Sequence, residues 1–468
     1  MLGRREKKDF LRRSRAVSGE SKKKKKGIPR RCPSAVAVGI ALGWLISGRA
    51  LRAETSTASE VDALVAEALA KNPDLAAARQ EAAAARARVS PAGTLPDPMV
   101  IVNYENDGVS PSLGVEPQSR LQFMAQQAIP FPGKLGLQER VAKADAERFA
   151  TRPERVVLAL EAAVRRGYAF LLESRENLRL VDEQTETWRQ IEEVVRARYS
   201  AGMGTQQDVL RAQSERTRLL QQRRKDEGAE EGALVELRRL LYRPTDAPVP
   251  TERRLVPGEP IAAPPAEEFL KKTLDVTPEL KELALAKERS HLAEELARRN
   301  LRPDFVASAG YMNRGSLPLM WSAGVGVSVP LWAGRKQRPL IVEAQSLFEA
   351  ASAAEASLRR QALARTEERL IRLRQLGDES RLDSEALLVQ DRLALDAALA
   401  SYRTGAVPFV TVLEALSTNF TDRRGAVARL ADLLRADADL RELSLDGSPS
   451  SAGSSRSPAL SAGSAPRM

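Results

Sequence analysis

Residues 199–213 read YSAGMGTQQDVLRAQ, and residues 402–416 read YRTGAVPFVTVLEAL. Aligned 203 positions apart, Tyr199 matches Tyr402, Gly202 matches Gly405, Val209-Leu210 matches Val412-Leu413, and Ala212 matches Ala415. The correspondence extends outward from this segment. Asn72-Pro73-Asp74-Leu75 answers Thr277-Pro278-Glu279-Leu280, and Pro96-Asp97 answers Pro303-Asp304. Ile129-Pro130-Phe131-Pro132-Gly133-Lys134 answers Val329-Pro330-Leu331-Trp332-Ala333-Gly334-Arg335. The four offsets, 203, 205, 207 and 200, define two halves of nearly equal length. A period this long marks a duplicated domain-sized unit rather than a solenoid of short repeats.

Each half follows one plan: helix, strand, loop, strand, long helix, turn, helix. In the first half, spanning 54–243, an Ala-rich helical stretch runs to about Val89 and is ended by Ser90-Pro91 and Pro96-Asp97-Pro98. Strands are expected at 99–105 and 120–129. In the second of these, Leu121, Phe123, Ala125 and Ile129 alternate with Arg120, Gln122 and Gln126. Helical periodicity then runs from Lys134 to Tyr199, with Leu160, Val164, Tyr168, Leu171, Trp188, Ile191 and Val195 on one stripe. A helix of that length reaches roughly 100 Å, too long for an ordinary globule. It implies a coiled coil or a helical tube. Ala201-Gly202-Met203-Gly204 turns the chain, and Thr205 with Asp208 forms a capping pattern for a helix over 205–242. Residues 244–268 are a Pro-rich linker. The second half, 269–446, repeats the plan, with a helix, strands at 304–312 and 321–329, a long helix at 335–403 and a helix at 408–443. Residues 447–468 are Ser/Gly/Ala/Pro-rich and are expected to be disordered. The fold class is therefore mainly α with a small β part.

The net charge of +11 points toward nucleic acid, but its distribution argues otherwise. Residues 1–53 hold 16 Lys+Arg and 3 Asp+Glu, and the rest holds 57 and 59, so the body carries about −2. No phosphate-binding face is implied, and no nucleic-acid partner is expected. The first 53 residues read as a signal peptide. A basic stretch at Lys22–Lys26 and Arg30-Arg31 precedes a 12-residue apolar run, Ala35–Ile46, with cleavage at Ala50 or Ala53. A membrane-spanning helix needs about 20 apolar residues. The one cysteine, Cys32, precedes the apolar run, so neither a disulfide nor a cysteine metal site is available to the exported chain. His291, the single histidine, reads as a surface helix residue. No Ser/His/Asp arrangement and no Gly-rich phosphate loop after a strand is present, so no enzyme, cofactor or metal site is expected.

The strands carry a sharper signal. Trp321, Ala323, Val325, Val327 and Val329 alternate strictly with Ser322, Gly324, Gly326 and Ser328. Trp321 stands at one end of this strand and Trp332 just beyond the other. Lipid-facing strands need about 9–11 residues, an apolar outer face and aromatics at both membrane interfaces. In lipid an open sheet edge leaves backbone groups unpaired. Four strands are too few for a barrel, because known barrels start at about eight. A spanning role therefore requires oligomerisation. The competing reading is a secreted coiled-coil scaffold decorated with two β-hairpins.

The duplicated Tyr-x-x-Gly-x(6)-Val-Leu-x-Ala segment, set between two long helices in each half and combined with the strand pairs, resembles the outer-membrane factor (TolC-like) family. The resemblance covers about residues 57–445. It implies a homotrimer in outer-membrane lipid, with a 12-stranded barrel continued by a periplasmic α-barrel. It also implies a passive exit duct for an inner-membrane pump of the RND type, engaged through a periplasmic adaptor protein. The Pro-Asp-Pro before the first strand and Ile-Pro-Phe-Pro-Gly-Lys after the second are most like the heavy-metal efflux branch. That branch implies metal cations as cargo, with drugs or type I secreted proteins as the alternative. The lipid-anchor cysteine found in that branch after the signal is absent here. By the same resemblance, Ala201, Gly202, Met203, Thr404, Gly405 and Ala406 form the adaptor-contact tip. Asp208, Tyr402, Thr411 and Glu414 form the periplasmic gate, with Glu414 alone keeping the charge of two acidic rings. Val407 replaces a latching arginine.

Overall fold

The computed structural model describes residues 51–443, apart from 250, 252, 257–260 and 262. The molecule divides into two units, Met1–Ala53 and Glu54–Met468. The described elements lie in the second, save for the first three residues of the opening helix. The signal expected over 1–53 falls outside the described residues but for those three, and the tail at 447–468 falls outside them altogether.

The chain runs α1 (Leu51–Lys71), α2 (Pro73–Ala87), α3 (Val89–Ala92), β1 (Met99–Glu105), β2 (Arg120–Ile129), α4 (Lys134–Ser200) and α5 (Gln206–Leu241). It then repeats: α6 (Ala266–Val276), α7 (Pro278–Arg299), β3 (Asp304–Asn313), β4 (Met320–Ser328), α8 (Gln337–Leu382), a π-helical segment (Asp383–Leu387), α9 (Leu388–Arg403) and α10 (Phe409–Arg441). The duplicated prolines mark the same joint twice. Pro73 and Pro278 each open a helix, after Asn72 and Thr277, where the missing N–H is no loss. Asn72 caps α2 by accepting the Leu75 N–H at 2.9 Å. The helical stretch expected to continue to Val89 is thus broken at Asn72.

α4 is one helix of 67 residues that carries Pro153 in its interior. Its expected stripe is buried, with Val164 and Leu171 wholly enclosed. They pack with Leu237 and Leu241 of α5, Leu370 and Leu373 of α8, and Leu430 and Leu433 of α10. The other long helix departs from expectation. Five residues wind as π and separate α8 from α9, leaving the carboxylate of Asp383 buried against α10, where Arg429 Nη2 donates to it at 2.6 Å. Wider winding of this kind accommodates an extra residue within a helix.

The four strands form one antiparallel sheet in the order β1-β2-β3-β4, so the two halves meet at β2–β3. The registers place Val102 beside Phe123, Phe123 beside Tyr311, and Tyr311 beside Trp321. One face is therefore largely apolar, running from Val100, Val102 and Tyr104 across to Trp321, Val325 and Val327, with Gln127 set within it beside Ala307. All six of these side chains are exposed, Val325 to 80%. A sheet in water would cover such a face. β1 and β4 are both edges. No described helix is long and apolar enough to cross a membrane.

Candidate functional site

The two glycine turns close by the same backbone device. At the end of α4, Gly202 N–H donates to the Tyr199 carbonyl at 3.0 Å and Met203 N–H to the Arg198 carbonyl at 2.9 Å. At the end of α9, Gly405 N–H donates to Tyr402 at 3.0 Å and Ala406 N–H to Ser401 at 2.9 Å. This is a Schellman cap, which satisfies the last helix carbonyls but needs a left-handed residue. Gly202 and Gly405 supply it at φ 72° and 81°. Ala201, Met203, Thr404 and Ala406 flank them, all exposed.

Beyond the turns the copies differ. Thr205 and Asp208 form a complete capping box at the start of α5. Pro408 stands before α10 with no side-chain cap. Tyr402 is 6% exposed, packed on Phe409 with ring centroids 5.6 Å apart. Its equivalent Tyr199 is 48% exposed. Phe409 meets Trp188 edge-on at 6.4 Å, and Ile191, Val195, Ala212, Val412 and Leu416 complete this second core. Thr411 is half-buried and Glu414 exposed.

One residue that the sequence reading passed over ties the turns together. Arg198, on the last turn of α4, lays its guanidinium over the Tyr402 ring at 4.6 Å. It donates to the Tyr402 carbonyl and, at 3.5 Å, to the Met203 carbonyl. Burial raises the Tyr402 hydroxyl pKa, Arg198 opposes that rise and Asp208 adds to it. Asp208, Tyr402 and Arg198 are thus electrostatic neighbours, whereas Glu414 takes no part in the group. Ser401 stands where Arg198 would be in the second copy, so the repeat pattern gave no sign of this contact.

At the sheet, Trp321 (80% exposed) sits beside Tyr311 near the loop end, with Tyr104 on the same face. Trp332 (74% exposed) lies past the other end, where Phe131 and Phe305 stack at 6.5 Å. His291 lies on α7, 3.7 Å from Glu295 and 5.5 Å from the Phe348 ring, with its side chain half exposed.

Paired hairpins of great length, carrying an open sheet with an apolar outer face, define the fold of outer-membrane factors. Residues 64–241, the first repeat, match the family described as outer membrane efflux protein. The fold extends further than the sequence match. The chain resembles the outer membrane protein VceC of Vibrio cholerae (TM-score 0.71, 17% identity, 82% of this chain and 96% of that one). It also resembles CusC, studied for folding and transmembrane channel formation (TM-score 0.68, 16% identity, 82% and 90%). The open state of the Neisseria gonorrhoeae channel MtrE is similar as well (TM-score 0.67, 18% identity, 82% and 88%). At these identities the likeness is one of fold. No curated protein matches by sequence. The family is one of efflux proteins, not enzymes.

Proposed function

We propose that three copies of this chain form an outer-membrane efflux duct, a 12-stranded barrel in lipid continued by a helical tunnel in the periplasm. The duct is passive, and an inner-membrane pump drives cargo into it through an adaptor seated on the turns at Gly202 and Gly405. The observation that carries this reading is the sheet. It has one largely apolar face open to its surroundings and two edges without partners. Lipid can cover such a face, but only a closed sheet satisfies the backbone there. Aromatic rings at both ends, Trp321 with Tyr311 and Trp332 beside the Phe131–Phe305 stack, fit the two interfaces.

Expression in a Gram-negative host tests this directly. The protein should fractionate with the outer membrane, run as a heat-dissociable trimer in detergent and conduct in planar bilayers. A soluble, non-conducting periplasmic monomer would leave the scaffold reading in its place. For cargo we favour metal cations, on the Pro-Asp-Pro and Pro-Phe-Pro-Gly-Lys flanks of the first strand pair. Coexpression with a metal-type pump and adaptor should restore metal tolerance to a strain lacking its own duct. Restored drug tolerance without metal tolerance would move the cargo to the alternative.

A further inference from the structure

The internal duplication makes the β2–β3 seam a template for a contact between copies. Within the chain this seam ends in a clamp. Lys134, just past β2, donates through Nζ to Asp304 Oδ1 at 2.8 Å and to the Arg302 carbonyl at 2.9 Å. Phe131 N–H donates to the same Asp304 oxygen at 2.8 Å. The Lys134 side chain is 6% exposed.

Both charged members of this clamp have counterparts at the open edges. Asp97, two residues before β1, matches Asp304, and Arg335 matches Lys134 after β4. Both are exposed, and among the described residues neither side chain makes a hydrogen bond or ion pair. They have opposite signs and sit beside the two unpartnered edge strands. The second turn, Pro330–Arg335, is one residue longer than Pro130–Lys134.

The same transfer fixes a register. β4 lies 200 positions after β2, and β1 lies 207 before β3. The seam pair Ala125–Ala309 becomes Val325–Val102, Gln127–Ala307 becomes Val327–Val100, and Phe123–Tyr311 becomes Ala323–Tyr104. Each transferred pair joins the apolar face of one edge to the apolar face of the other. A slip of one residue would set Val325 opposite Ile101 or Asn103 and turn the apolar face inward. The offsets come from the flanking motifs alone, so this agreement of faces is an independent check.

We propose that β4 of one copy pairs with β1 of the next in this register, and that Arg335 of one copy and Asp97 of the next form the ion pair that ends the seam. The proposal rests on the trimeric reading above and adds to it the residues of the junction. The test uses the full chain carrying Cys32→Ser. Val102→Cys with Val325→Cys should cross-link to covalent dimers and trimers under a membrane-permeant oxidant. Ile101→Cys with Val325→Cys should give little product. Asp97→Arg or Arg335→Asp alone should lower the temperature at which the detergent trimer dissociates, and the two together should restore it. Lys336→Asp serves as a nearby control and should leave that temperature unchanged. An intact trimer that cross-links best at the shifted pair, or that the double reversal fails to rescue, overturns this junction while the duct reading stands. Absence of a trimer in the unsubstituted chain overturns both.

Discussion

Arg198 and Tyr402 form the contact on which the tip of a single copy depends. Tyr402 is buried because α10 folds Phe409 onto it and Arg198 lies over its ring. Tyr199, in the same motif, is left exposed because its opposite number in this arrangement is Ser401. A guanidinium stacked on a ring contributes about 0.5–2 kcal/mol, and its hydrogen bonds to the turn carbonyls add to this. Arg198→Ala should therefore loosen the tip and raise single-channel conductance in planar bilayers. Arg198→Lys should recover little, since an ammonium lacks the planar fork that serves ring and carbonyl together. Conductance equal to that of the parent in both variants would reduce Arg198 to ordinary packing. The duplicated Tyr and Gly were legible as a motif. Arg198 was not, because it occurs in one copy only and is one of 73 basic residues.

At the scale of elements, much of the architecture could be read because each signal is local. Strict alternation identified the strands, a 3.6-residue stripe identified α4 despite Pro153, and Thr205 with Asp208 announced the start of α5. The π segment was not legible, since the burial of Asp383 against Arg429 joins residues 46 apart. The turns show what local reading can separate. A Cβ on Gly202 would meet nothing within 4 Å, and one on Gly405 would meet only Arg198 Nη2 at 3.6 Å. Space therefore does not demand glycine, but the left-handed backbone does. Gly202→Val or Gly405→Val should cost roughly 1–2 kcal/mol, confined to the turn. The trimer should persist in detergent while efflux falls, because the tip is where an adaptor would approach. Gly202→Asn, which tolerates this conformation, should retain efflux. If the valine variants dissociate the trimer, the turns hold the assembly together and are not merely its docking tip.

At the scale of the whole molecule, the unequal copies decide the charge of the proposed pore. Asp208 serves its own helix, accepting the Thr205 N–H at 3.4 Å, and the matching Thr411 carries no charge. Glu414 is free of such duty. About 100° of rotation per residue sets it some 200° from the buried Val412, and it is exposed on the side away from the α4 contact. Three copies around an axis would bring three such carboxylates together, and a ring of this kind favours cations in a narrow pore. Glu414→Gln should then shift the reversal potential in a salt gradient toward zero. The shift should be largest at low salt, because screening shortens from about 10 Å at 0.1 M to about 3 Å at 1 M. Asp208→Asn keeps a side-chain acceptor at the cap and should leave the reversal potential unchanged at either concentration. A reversal potential that follows Asp208 instead of Glu414 would place the selective ring at the start of α5, and would mean that the second copy lost its charge without consequence for the pore.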